Sequence, residues 1–115
     1  SMIVGEVTRA EVPDLIFREL DRVRVKGKDE PVTIFEPIGL AAETGKPVQD
    51  ELNLWGQALK LYRARDWDMA ELQLLNLQKV NGASALYKLF LGRIALFRRN
   101  PPEQGWDGSW KFETK

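Results

Sequence analysis

Arg22-Val23-Arg24-Val25-Lys26-Gly27-Lys28-Asp29-Glu30-Pro31-Val32-Thr33-Ile34-Phe35-Glu36 reads as two strands joined at a cationic tip. Val23 and Val25 alternate with Arg22, Arg24 and Lys26, the period-two pattern of a strand with one apolar and one charged face. Gly27 supplies the backbone freedom that a tight turn needs. Pro31 closes the loop before the return strand begins at Val32. The strands are expected over residues 19–26 and 32–36, with Pro37 ending the second because it has no N–H for the ladder. Lys26 and Lys28 flank the glycine, which makes them the candidates for meeting an anion such as a phosphate.

Working outward, residues 7–16 are expected to hold a short helix started or interrupted at Pro13. Two paired strands alone are marginal in water, so the hairpin needs the helices that follow, further strands or a second copy. Residues 39–51 carry Gly39, Gly45 and Pro47 with no sustained period and read as a linker. The chain thus divides into an amino-terminal α/β part over residues 1–38, the linker, a helical part over 52–100 and a tail over 101–115.

Composition narrows the chemistry. The 115 residues are 43% hydrophobic and 30% charged, the balance of a globular protein of one ordinary domain or two small ones. There is no cysteine, hence no disulfide, thiolate ligand or thiol nucleophile, and no histidine, the usual general base and metal ligand. Lysine plus arginine number 17 against 17 aspartates plus glutamates, so no net field favours nucleic acid. Arg22, Arg24 and Lys26 as a ribbon for RNA are weaker as a reading than as solubilising charges on an open strand face. The apolar run over residues 86–97 is broken by Lys88 and Arg93 and is too short to insert in a bilayer. A cytoplasmic protein is expected, with any membrane anchor of a longer parent lying upstream.

Val25-Lys26-Gly27-Lys28 followed by Pro31-Val32-Thr33-Ile34-Phe35-Glu36 resembles the end of the catalytic domain of class III nucleotidyl cyclases. Residues 3–9, Ile-Val-Gly-Glu-Val-Thr-Arg, resemble that family's short strand and following helix. Residues 18–24, Arg-Glu-Leu-Asp-Arg-Val-Arg, are similar to the strand entering the hairpin. The likeness covers residues 3–39, about a third of the chain. It implies that Lys26 meets the terminal phosphate of the nucleotide, with Lys28 an auxiliary that inherits no firm role. It also implies Mg²⁺ or Mn²⁺ in the parent, held by aspartates on strands upstream of Ile3, and an active site shared by two catalytic domains in a homodimer. The expected partner of this segment is the rest of that catalytic domain. Catalytic residues, metal ligands and cofactors are expected to be absent from the segment itself, which alone makes no cyclic nucleotide.

Past the linker the period becomes helical. Leu52, Trp55, Leu59 and Tyr62 share one face, widened by Leu54, Ala58 and Leu61. Asp66 is a natural N-cap for a second helix with Trp67, Ala70, Leu74 and Leu77 inward. Ser84 is placed to cap a third, with Tyr87, Phe90, Ile94 and Phe97 in a stripe, stopped by Pro101-Pro102. This helical spacing makes Trp55, Tyr62 and Trp67 core residues rather than a peptide groove. Asp66 and Asp68 read as helix-start residues rather than a catalytic carboxylate pair.

Ala58, Tyr62 and Asp66-Trp67-Asp68-Met69-Ala70 resemble the helix-turn-helix signature of tetratricopeptide repeats, whose period is about 34 residues. One period after Ala58 stands Gly92, where the resemblance implies a second close helix approach. The second repeat ends after its first helix, so its edge needs a cover. Trp106 and Trp110 in the tail are the candidates, either as that cap or as an interaction surface, and residues 110–114 are placed to add a strand to the hairpin's sheet. Bacterial cyclases with an extended carboxy terminus are similar in this respect. The expected fold is therefore α+β: a small partial sheet with a short helix, then a tetratricopeptide-like antiparallel helical hairpin and a third helix. The competing function is a non-enzymatic protein–protein interaction module carried by those helices.

Overall fold

The alternation around Val23 folds as expected, and the strands run further than expected. A computed structural model describes residues 4–6, 11, 14–25, 27 and 30–112. The chain is α+β and forms two units, one built from the residues up to Gly45 together with those from Ser109 onward, the other spanning Lys46–Gly108.

The first unit is a four-stranded sheet of β1 (Val4–Gly5), β2 (Leu15–Val25), β3 (Val32–Leu40) and β4 (Trp110–Phe112), in the order β1-β3-β2-β4. β2 and β3 are the antiparallel hairpin, with Val23 opposite Val32 and Arg18 opposite Glu36. Val23 and Phe35 are buried, and Arg22 and Arg24 are half-buried. The Arg18 guanidinium bonds the Glu36 carboxylate across the ladder, both side chains less than one-fifth exposed. β4 lies parallel to β2, with Val23, Arg24 and Val25 opposite Trp110, Lys111 and Phe112. The tail thus adds the strand that its sequence suggested.

Two expectations need correction here. Pro37 does not end β3 but sits inside it, opposite Phe17 and beside a register shift at Ile16/Phe17. Ile38 is the residue left without a partner there, and the ladder beside such a bulge is irregular, where a strand tolerates a proline. Leu15 and Ile16 belong to β2, and Glu11 and Asp14 to turns, rather than to a helix; residues 7–10, 12 and 13 of that expected helix lie outside the described residues. A second shift at Glu19/Asp21 lets the buried Asp21 turn its carboxylate back to accept the Arg22 N–H at 2.9 Å.

The second unit is three helices, α1 (Lys46–Arg63), α2 (Trp67–Val80) and α3 (Ala85–Arg99). The irregular span between the parts is shorter than 39–51. Gly39 and Leu40 finish β3, a single 3₁₀ turn covers Ala41–Glu43, and α1 already starts at Lys46. Pro47 fits there because the first helical turn leaves its N–H groups unbonded anyway. Lys46 and Asp50 add an exposed ion pair one turn apart at 2.9 Å.

The core of this unit is aromatic. Trp55 packs on Tyr87 and edge-on against Phe90, with ring centroids 5.5 and 5.0 Å apart, and Tyr62 meets Phe90 at 4.9 Å. Ala58, Leu59, Ala70, Leu74, Leu77 and Ile94 fill the rest. Asp66 caps α2 as expected, accepting the Met69 N–H at 3.2 Å. Ser84 occupies the N-cap position of α3 but makes no side-chain capping bond. Gly92 is not at a close approach: a Cβ there would meet nothing within 4 Å, whereas Ala58 is buried against its neighbours. Ala58 is covered because α2 follows α1, and among the described residues no helix follows α3 to cover Gly92 in the same way.

Candidate functional site

Lys26 and Lys28, the two cations expected to meet phosphate, lie outside the described residues. What surrounds them is described. Gly27 has φ of 88°, the left-handed region that the turn was expected to require, and the space around it is open. Val25 and Val32 are about half exposed, and Glu30 is exposed. Gly27 is a turn residue, and the strand ends on either side of it, Val25 and Val32, face solvent on a bulged hairpin. Lysines beside such a turn can meet an anion. Among the described residues no three of histidine, cysteine, aspartate or glutamate are grouped to hold a metal ion.

Trp106 and Trp110, the tail's two tryptophans, part company. Trp110 begins β4 opposite Val23. Trp106 closes the end of the helical unit, its ring 5.5 Å from Tyr62, 5.2 Å from Phe97 and 6.0 Å from Trp67. Trp67 and Phe97 stack at 5.4 Å within the same group.

Arg65 organises this end, and sequence reasoning passed over it. Helix α1 stops in a left-handed turn in which the Asp66 N–H donates to the Leu61 carbonyl at 2.9 Å and the Arg65 N–H to Tyr62 at 3.0 Å. That pair of bonds is the Schellman stop, whose left-handed residue is usually glycine. Here it is Arg65, with φ of 65°. Its guanidinium donates to the Pro102 carbonyl at 2.9 Å and to the Glu103 carbonyl, and lies 5.9 Å from the Trp106 ring centroid. The signal that was available is the absence of any glycine between α1 and α2, which forces another residue into the left-handed position.

Beside this cap, Arg65, Asp66, Trp67, Asp68, Phe97, Arg98 and Pro101 line an open cleft of about 450 Å³. Its cations are engaged: Arg98 bonds Asp68 at 2.7 Å and Glu71 at 3.3 Å, and Arg65 holds the tail. The cleft thus presents aromatic edges and compensated charge.

Among the described residues no helix is long and apolar enough to cross a membrane. No family model, curated protein or solved structure matches the chain.

Proposed function

We propose that the chain is the carboxy-terminal segment of a bacterial class III nucleotidyl cyclase, acting in cytoplasmic signal transduction. The parent would convert ATP or GTP to the 3′,5′-cyclic monophosphate and pyrophosphate, with Mg²⁺ or Mn²⁺ held by residues outside this segment. The observation that carries this reading is the Val25-Lys26-Gly27-Lys28 stretch between two long antiparallel strands, the second of which begins Val32-Thr33-Ile34-Phe35-Glu36. In this account Lys26 offsets charge on the departing pyrophosphate, and does so only when a second catalytic domain supplies the facing surface. The segment alone is inactive and carries no cofactor.

The test is to assay the chain alone and joined to its natural upstream sequence. Metal-dependent formation of cyclic nucleotide by the longer protein, and none by the segment, supports the reading. Absence of activity in the longer protein, together with no paired aspartates in the upstream strands, overturns it.

A second reading is an interaction module carried by the tetratricopeptide-like helices. It is favoured by a helical unit with a core of its own, sealed by Trp106 rather than by a further helix. The two readings describe different halves and are compatible. Removing residues 46–108 from the parent separates them: altered oligomeric state or specific activity assigns those helices a role in regulation or assembly, and unchanged values leave them only a packing role.

A further inference from the structure

Helix α2 buries one face and leaves large apolar side chains on the other. Ala70, Leu74 and Leu77 are buried, whereas Met69, Leu72, Leu75 and Val80 are 43, 49, 45 and 61% exposed. An amphipathic surface helix normally carries polar groups there, and a cluster of this kind marks a contact surface. Asp68, Leu72, Leu75 and Lys79 follow at steps of four, three and four residues, the spacing of a coiled-coil seam. The seam is charged oppositely at its two ends. Asp68, with Glu71 beside it, stands at the amino end and Lys79 at the carboxyl end.

We infer that this seam binds a second copy of the chain, with the two α2 helices antiparallel about a two-fold axis level with the Gln73–Leu74 peptide. In that register Leu72 faces the partner's Leu75 at one layer and Leu75 faces the partner's Leu72 at the next. The flanking layers place Asp68 against the partner's Lys79, once at each end. Each layer is either apolar on apolar or opposite in charge, and the symmetry makes one register satisfy both copies. A parallel pairing sets Asp68 on Asp68 and Lys79 on Lys79. The exposed face of α3 has no such self-match, because Lys88, Arg98 and Arg99 are its only charges and all are positive. Asp68 already bonds Arg98, yet its side chain stays 94% exposed and can take a second cation. The seam is short, so the dimer is weak and concentration-dependent.

Sedimentation analysis of the whole chain over a concentration series tests this. The mass should rise from the 13.2 kDa monomer towards twice that value. Leu72→Asp should weaken the dimer by roughly 100-fold, since each substitution falls twice in a symmetric contact. Lys79→Glu, on the surface and harmless to the fold, should weaken it by about tenfold, and Asp68→Lys combined with Lys79→Glu should restore it. Circular dichroism of each variant should match the parent chain. A monomer at every concentration overturns the inference, as does a dimer that Lys79→Glu leaves unchanged, which would put another surface in the contact.

Discussion

Arg65 donates to the carbonyl of Pro102 at 2.9 Å from a backbone held in the left-handed region, so the end of α1 and the tail are tied through one side chain. A glycine would take this conformation at no steric cost, whereas a residue with a Cβ gives up about 1 kcal/mol. The arginine persists because its guanidinium gains two carbonyls and a tryptophan face.

Arg65→Ala should therefore lose the side-chain contacts and keep the strain, costing about 2–3 kcal/mol, while Arg65→Gly should cost about 1 kcal/mol less. Urea unfolding of the three proteins measures the order. Equal stability of the glycine and alanine variants would show that the backbone strain is not felt.

Trp106 is the aromatic lid over Tyr62, Trp67 and Phe97. Trp106→Ala should destabilise the helical unit by about 2–4 kcal/mol, and Trp106→Phe by roughly half of that. Thermal unfolding followed by circular dichroism gives both values; a change below about 0.5 kcal/mol, the range of ordinary surface sites, would make the tail a bystander.

Gly92 stands mid-helix with open space around it, and so does Gly56 in α1. Replacing either by alanine should raise stability by about 0.5–1 kcal/mol, since helix propensity improves and nothing is displaced. A loss of stability on Gly92→Ala would mean that something does approach this face in solution.

The Arg18–Glu36 pair crosses the hairpin with both side chains mostly removed from water. Glu36→Gln should cost about 1–3 kcal/mol by leaving the guanidinium without its counter-charge, and Arg18→Met combined with Glu36→Leu should recover most of it. Hydrogen exchange of the β2 and β3 amides reports both. A double variant as unstable as the single one would show that the charges themselves hold the register.

The hairpin and the three helices were legible because their apolar periods, two and then three to four, differ so clearly around Val23 and around Trp55. What escaped was punctuation. Pro37 reads as a stop, yet the strand continues through it beside a bulge at Ile38. Leu15-Ile16-Phe17 is a continuous apolar run, which does not tell a strand from a helix. Pro47 belongs to the first turn of α1 rather than to a loop.

At the candidate site the sequence pointed to Trp106, whose large apolar surface had to be covered, but not to Arg65. A left-handed arginine shows in the backbone and not in the residue type. Nor did reading only the inward stripe of α2 disclose the second seam through Leu72 and Leu75. The 34-residue spacing from Ala58 to Gly92 is present in the chain, while the packing that would give it meaning needs a helix after α3.

The most direct measurement of the central claim is the steady-state kinetics of the chain joined to its upstream sequence, with and without Lys26→Ala. With Mg²⁺ or Mn²⁺ the longer protein should form cyclic nucleotide. The substitution should raise the KM for the triphosphate by about tenfold, the scale of one lost charge-assisted contact to phosphate. Cyclic nucleotide formed with an unchanged KM would remove Lys26 from the site, and no cyclisation at all would contradict the assignment to a cyclase.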